Sequence, residues 1–401
     1  MKINPINTIY FNNFKVKQKL SFGNCQNDSF ESTIKVKGSE TEAKIYTANV
    51  DYETLDAIRN MCNHPVFKDA PIRIMPDTHA GKNSVVGFSA PVGAAGTVIP
   101  NIVGGDIGCG MLCVKLDTGG KEIDCRELDN VIRKFISSSR SEIPKSFSKV
   151  PVDFIKQVDG MTSKKYKQRI ENVMQTLGTI GGGNHFIEID KDDNGDYYLV
   201  IHSGSRLFGK EVADYHQEKA NRQNPYKIKE LSYLSGAEAK DYLEDMGVAV
   251  EFSSYNRRVI ADEIISRMGW REVSSFESLH NYISDDGMIR KGAISAEKGE
   301  ELLIPLNMRD GAIIGSGKGN EDWNNTAPHG SGRQYKRREV KDKFTLEDFR
   351  ETMKGVYSTC ISSATLSEAP QAYKSSEEII ENIADSVNVE KIITPVYNYK
   401  D

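Results

Sequence analysis

The sequence predicts a mixed α+β protein built as one large domain, with central β-sheets flanked by helices. Three observations carry this expectation. Many short apolar runs are interrupted by glycines, 33 in the chain, as strands joined by tight turns require. Other segments place apolar residues at helical spacing. No internal repeat, low-complexity tract or linker divides the 401 residues, a length that can bury a large core.

Residues 1–30 are rich in Asn, Lys and Phe without steady periodicity, which marks them as an extension and leaves 31–401 as the domain. Ile34-Lys35-Val36-Lys37 and Ala43-Lys44-Ile45-Tyr46 alternate as two strands, joined by a turn that starts at Gly38-Ser39. Leu55, Ile58 and Cys62 define a short amphipathic helix over Glu53 to Cys62. A stronger helix covers Tyr255 to Met268, with Val259, Ile260, Ile264, Ile265 and Met268 on one side and Gly269 as its stop. Thr345, with Asp348 as capping-box partner, opens a helix whose apolar face is Leu346, Phe349, Met353, Val356 and Cys360. A last helix is expected from Ser376 to Val387, on Ile379, Ile380, Ile383 and Val387.

A hydrophobic fraction of 38% and a charged fraction of 27% describe a soluble globular chain. The net charge of -5 argues against holding nucleic acid by bulk electrostatics and leaves a local basic site open. Six cysteines form neither a disulfide framework nor repeated Cys-x-x-Cys pairs, so a reducing compartment is expected. No secretory h-region opens the chain and no run approaches about 18 apolar residues, so a cytoplasmic protein with no membrane partner is expected.

The chemistry concentrates in a few glycine-rich segments. Asp106 and Cys109 lie three apart in Gly104-Gly105-Asp106-Ile107-Gly108-Cys109-Gly110-Met111, a spacing that suits a loop closing on an ion or a phosphate. Four of the seven histidines, His185, His202, His280 and His329, fall where packing explains their neighbours poorly. His185 to Asp190 and Tyr197 to His202 read as strands around the turn Asp192-Asp193-Asn194-Gly195. A four-residue loop sets His185 opposite His202, a two-residue Asn194-Gly195 loop keeps them on one face, and a three-residue loop would separate them. Asp106, Cys109, His185, His202 and His280 together supply a carboxylate, a thiol and three imidazoles, enough for one or two metal ions, and ligand softness favours zinc. A bridging thiolate would allow two ions. His329 lies in Pro328-His329-Gly330-Ser331-Gly332-Arg333, with Lys336, Arg337 and Arg338 just beyond, a setting for a histidine nucleophile attacking phosphorus. Lys164, Lys165, Lys167 and Arg169 read instead as a charged helix face.

These segments resemble the RtcB-type RNA-splicing ligases. The likeness runs from about residue 32 to the C-terminus, through Met75-Pro76-Asp77-Thr78-His79, Gly105-Asp106-Ile107-Gly108-Cys109-Gly110-Met111, Gly181-Gly182-Gly183-Asn184-His185-Phe186-Ile187-Glu188, His202-Ser203-Gly204-Ser205-Arg206, His280-Asn281-Tyr282, Arg290-Lys291-Gly292-Ala293, His329-Gly330-Ser331-Gly332-Arg333 and Ala372-Tyr373-Lys374. What it implies is an RtcB-like fold and a GTP-dependent ligase with two manganese ions. Such an enzyme joins RNA 3'-phosphate or 2',3'-cyclic phosphate ends to 5'-hydroxyl ends, in RNA repair or tRNA splicing, with an archease-like activator as a further partner. By resemblance, Asp106, Cys109 and His185 would hold one ion and Cys109, His202 and His280 the other. His329 would be guanylylated, oriented by Asp77; Asn184, Glu188, Tyr373 and Lys400 would surround the nucleotide. The segment Pro305-Leu306-Asn307-Met308-Arg309-Asp310-Gly311 is bulkier and more charged than the family's pattern, which bears on nucleotide choice. A phosphoesterase or nucleotidyl transferase on the same site is the alternative, and a non-catalytic RNA-end-binding protein a third.

Overall fold

The computed structural model describes residues 33–81, 84–136, 151–163 and 175–400. The expected N-terminal extension and the basic run Lys164 to Arg169 lie outside these residues. Strands β1 (Ile34–Lys37), β2 (Glu42–Ile45), β3 (Ile72–Ala80) and β4 (Val85–Pro91) begin a first sheet. Strands β5 (Gly110–Asp117), β6 (Phe186–Lys191), β7 (Tyr197–Ser203) and β8 (Arg271–Leu279) belong to a second. The chain then returns to the first sheet with β9 (Asn281–Ile283) and β10 (Met288–Lys291). Strands β11 (Ala293–Ser295) and β14 (Thr326–Pro328) pair with each other, and β12 (Glu301–Asn307), β13 (Gly311–Gly317) and β15 (Val387–Tyr399) complete the second sheet.

The first sheet runs β1-β2-β3-β4-β10-β9 and the second β12-β13-β15-β6-β7-β5-β8. Every ladder is antiparallel except β2 with β3. A parallel pair needs a crossover, and the helix Tyr52–Cys62 provides it, capped by Asp51, whose side chain accepts from the Thr54 amide. The second sheet buries both faces, one against a helix and the other against its own curled strands. Leu112, Val114, Ile187, Ile189, Leu199 and Ile201 pack against the helix Cys125–Phe135 on one side. Met111, Cys113, Phe186, Val200 and Ile314 fill the other. The expected α+β class with sheets flanked by helices is therefore observed.

The expected helix over residues 255–268 is the second half of a much longer one, Gly236–Met268. Its first half was illegible because the two halves bury different faces. Tyr242, Met246, Ala249 and Phe252 join the core under the first sheet, whereas Ile260, Ala261 and Ile264 join the core under the second. It stops at Gly269, in the left-handed conformation (φ 69°), as expected.

Two other helices are shorter than expected. The capping box of Thr345 and Asp348 forms, but the helix ends at Thr352, and Gly355 (φ 97°) turns the chain away. Phe349 and Met353 still share one cluster, while Cys360 packs in another. The last helix ends at Asn382, because the amides of Ser386 and Val387 both turn back to the Ile383 carbonyl and Val387 starts β15.

Between the two cores lies Arg257, fully buried in the long helix. Its Nη1 donates to the carbonyls of Gly108 (2.9 Å) and Ser203 (2.7 Å), and its Nε to Glu277 (2.9 Å). One guanidinium thus fixes the chain just before Cys109 and just after His202. Replacing Arg257 by Leu takes the guanidinium from the Ser203 carbonyl and leaves Gly108 O with the Ser253 hydroxyl and Glu277 with the Ser254 hydroxyl, so a loss of roughly 3 kcal/mol is expected in urea unfolding. Lys156→Ala, which removes an exposed pair with Asp153, should leave the midpoint unchanged.

Candidate metal and nucleotide site

The ends of four neighbouring strands build the site. The register places Gly110 beside Ser203 on one side and Leu279 on the other. Cys109 just before β5, His202 near the end of β7 and His280 just after β8 therefore meet at one edge of the second sheet. Hydrogen bonds sew these ends together: the His280 amide donates to Cys109 O (2.9 Å), and the Asn281 side chain donates to Asp106 O (3.1 Å).

The hairpin that brings His185 does not have the expected register. The Gly195 amide donates to Asp192 O (2.9 Å), Gly195 has φ 87°, and the Asp192 amide donates to Asp196 O (3.0 Å), which leaves the three-residue loop Asp193-Asn194-Gly195. Phe186, not His185, stands opposite His202. The imidazoles nevertheless meet, with ring centroids 5.2 Å apart, because His185 precedes the strand and escapes its alternation. The expected contact exists, but strand pairing is not its cause.

Five groups converge. Cys109 Sγ lies 3.4 Å from His185 Nε2 and 3.2 Å from His202 Nε2. His202 Nε2 is 3.4 Å from His280 Nε2, and His185 Nε2 is 3.4 Å from Asp106 Oδ2. They form two overlapping sets that share Cys109, one with Asp106 and His185, the other with His202 and His280, each with its ligand atoms within 4.8 Å of one another. Gly204 makes room, since a Cβ there would lie 2.2 Å from Asp106 Oδ1.

The donor chemistry fits metal ions. His202 Nδ1 donates to Asn184 O (3.2 Å), so its Nε2 faces the cluster unprotonated; His185 Nδ1 lies 3.1 Å from Ile180 O and 3.3 Å from Arg206 Nη1, and its Nε2 faces both Cys109 and Asp106. Hydrogen bonds cannot satisfy the thiol, the three Nε2 atoms and the carboxylate all at once, and a cation can. Burial holds the His202 and His280 imidazoles well below their ordinary range, neutral and ready as ligands. Burial, reinforced by Asp106, pushes the Cys109 thiol well up, so a thiolate there needs a positive neighbour. Burial opposes ionisation of Asp106, but His185 and Cys109 outweigh it and hold the carboxyl below its usual range.

His329 approaches from the third sheet. The pairing of Ala293 with Pro328 delivers it beside His280, ring centroids 4.8 Å apart. Its Nδ1 donates to Asp77 Oδ2 (2.6 Å), and its backbone amide donates to the same oxygen (3.2 Å). Asp77 is wholly buried. Gly332 (φ 73°) lets this loop lie on β3, since a Cβ there would meet the Asp77 backbone at 2.7 Å.

His329 opens into a cavity of about 840 Å³ whose walls include Asn184, Glu188, Tyr373 and Lys400. All eleven residues singled out from sequence thus gather at one place. Burial pushes Glu188 up to about 8, although Asn398 donates to its Oε1 at 2.6 Å. The sequence reading missed Glu368, which no motif marks. Its buried carboxylate accepts from Arg333 (2.6 Å), Tyr373 (2.7 Å), Lys400 (3.2 Å) and Arg337. Arg333 and Arg337, expected to offer free positive charge beside His329, are therefore committed to Glu368, and Lys336 to Glu53.

Fold and site together define a mixed α/β protein with a two-centre cluster of metal-type ligands beside an Asp-supported histidine. The family model of the tRNA-splicing ligase RtcB matches residues 57–165 and 154–401, and the chain belongs to that family. It is 28% identical over 391 residues to the RNA-splicing ligase RtcB of Escherichia coli K12, covering 86% of this chain and 94% of that one. It is 25% identical over 411 residues to the tRNA-splicing ligase RtcB of Aeropyrum pernix, covering 80% and 85%. The corresponding protein of Archaeoglobus fulgidus is 24% identical over 445 residues, covering 86% and 89%. Among the described residues, no helix is long and apolar enough to cross a membrane.

Glu368 gives a pH test of the cavity wall. Burial alone would raise its carboxyl, but Lys400, Arg333 and Arg337 pull it down to about 2 from an ordinary 4.5. Its stabilisation is therefore complete above about pH 4.5 and is lost as pH falls toward 2. Denaturant titrations of wild type and Glu368→Gln should differ at neutral pH and converge by roughly 3 kcal/mol across that window.

Proposed function

We propose that this protein is a GTP- and manganese-dependent RNA ligase that joins 3'-phosphate or 2',3'-cyclic phosphate ends to 5'-hydroxyl ends through guanylylated His329. Residues 31–401 act as the ligase unit and 1–30 as an extension. One observation carries the reading: the 2.6 Å bond from His329 Nδ1 to Asp77, beside the ligand cluster and at the wall of the large cavity. Membership of the tRNA-splicing ligase family, and relatives named as RNA-splicing ligases, support RNA as the substrate.

The residues divide the work. Asp77 keeps the proton on Nδ1 and the lone pair on Nε2, which makes His329 a nucleophile. Nε2 attacks the α-phosphorus of GTP; a P–N bond forms, the bond to the β-phosphate oxygen breaks, and pyrophosphate leaves. An oxygen of the RNA 3'-phosphate then takes the guanylate, and His329 departs with the electron pair of the P–N bond. Finally the 5'-hydroxyl oxygen attacks the activated 3'-phosphate, its proton goes to a base, and GMP leaves. Asp106, Cys109 and His185 would hold one ion and Cys109, His202 and His280 the other. The ions would supply positive charge against the phosphates and polarise the phosphorus. Asn184, Glu188, Tyr373 and Lys400 would contact the nucleotide.

Incubation with manganese and α-labelled GTP should leave an acid-labile adduct that His329→Ala abolishes. Asp77→Asn, which keeps the shape and loses the carboxylate, should slow adduct formation by on the order of 100-fold or more. Failure of GTP to label the protein with any divalent metal would remove the ligase reading. Stronger labelling by ATP would favour a nucleotidyl transferase of different nucleotide choice.

A further inference from the structure

The seven histidines of the chain separate by role. His185, His202 and His280 belong to the ligand cluster, and His329 to the cavity wall. His64 and His216 are wholly buried: His64 Nδ1 accepts from the Val66 amide (3.2 Å), and His216 Nε2 pairs with Asp245 (2.8 Å). His79 is left over. It closes the Asp77-Thr78-His79 segment, lines the same cavity as His329, and has no part in the steps above.

Its geometry repeats that of His329. His79 Nδ1 donates to the backbone carbonyl of Asp77 (3.1 Å), which places the proton on Nδ1 and leaves a lone pair on Nε2. Nε2 makes no hydrogen bond to any described residue, and the residue lines the cavity. Asp77 therefore fixes two imidazoles at once, His329 through its carboxylate and His79 through its carbonyl.

We propose that His79 is the base that takes the proton of the RNA 5'-hydroxyl in the sealing step; this rests on the ligase reading above. As the 5'-oxygen forms its bond to the 3'-phosphorus and the bond to GMP breaks, the hydroxyl proton moves to His79 Nε2. The resulting imidazolium returns it to water after product release. Of the other groups in the cavity, Glu188 accepts from Asn398 (2.6 Å), and His329 is the competing base, since its Nε2 is freed once the guanylate has left. The Asp77 carboxylate is wholly buried and held by His329, and the Nε2 atoms of His185, His202 and His280 are turned into the ligand cluster. Burial lowers the His79 imidazole below its ordinary range, Asp77 opposes this, and His329 and Arg333 on the facing loop add to it, so the ring is neutral at pH 7.

The test uses the full chain with manganese and an RNA already carrying a 3'-guanylate, sealed to a 5'-hydroxyl strand in a single turnover. Wild type should show a sealing rate that rises with pH and then levels. His79→Ala should lose that limb and seal roughly 100-fold more slowly, with a far smaller effect on labelling by GTP. Added imidazole should restore part of the rate to His79→Ala, and His79→Ala should lose more of the sealing rate than His329→Ala, whose own step is already complete in this RNA. His79→Gln, which keeps size and polarity, should be as slow as His79→Ala. Sealing by either His79 variant at the wild-type rate, or with the wild-type pH profile, would overturn the proposal. Absence of labelling and sealing in wild type would instead overturn the ligase reading beneath it.

Discussion

The site depends on one crowded contact, Cys109 Sγ within 3.4 Å of the Nε2 atoms of two imidazoles. Nothing in ordinary packing favours this. A buried thiol is comfortable among apolar groups, and a buried histidine looks for a donor or acceptor of its own. Here three imidazoles, a thiol and a carboxylate are turned toward one another, and a backbone carbonyl holds Nδ1 of two of the rings. The arrangement is costly without a cation and favourable with one. Arg257 makes it possible by tying the loop before Cys109 to the strand end after His202, so two distant pieces of chain cannot relax apart.

The same economy recurs on the other side of the cavity. Asp77 serves two histidines with two different oxygens, and Glu368 gathers two arginines, a lysine and a tyrosine around one carboxylate. The second cluster makes the basic segment after His329 a scaffold more than a free anion trap. Lys400, brought back by the long strand β15, reaches both Glu368 and Asn184 O (3.2 Å), which links the C-terminal strand to the segment before His185.

Much of this was legible in the sequence where local chemistry decides the outcome. The capping box at Thr345, the left-handed Gly269 and the first hairpin follow from a few residues each, and they stand as expected. Asp106 and Cys109 announced themselves as polar groups among glycines with no folding reason to be there. What could not be read depends on tertiary context. The long helix changes its buried face halfway, so its first half shows no single stripe. Val387 is as apolar as a helix position needs, yet the turn after Ile383 hands it to a strand. The His185 hairpin takes the odd register from a G1-type turn at Gly195, and the two histidines meet only because one lies off the ladder. Glu368 and Arg257 carry no motif at all, since their roles exist only once distant segments meet.

The central claim is that Cys109 joins two metal centres, and the most direct measurement is metal analysis coupled to electron paramagnetic resonance of the protein loaded with Mn2+. Two ions per chain with the spectrum of an exchange-coupled pair are expected, one for each ligand set, and Cys109→Ser should lose the coupling while the protein stays folded. A single ion, or two ions whose spectrum is that of isolated Mn2+ and is unchanged in Cys109→Ser, would contradict the shared thiolate.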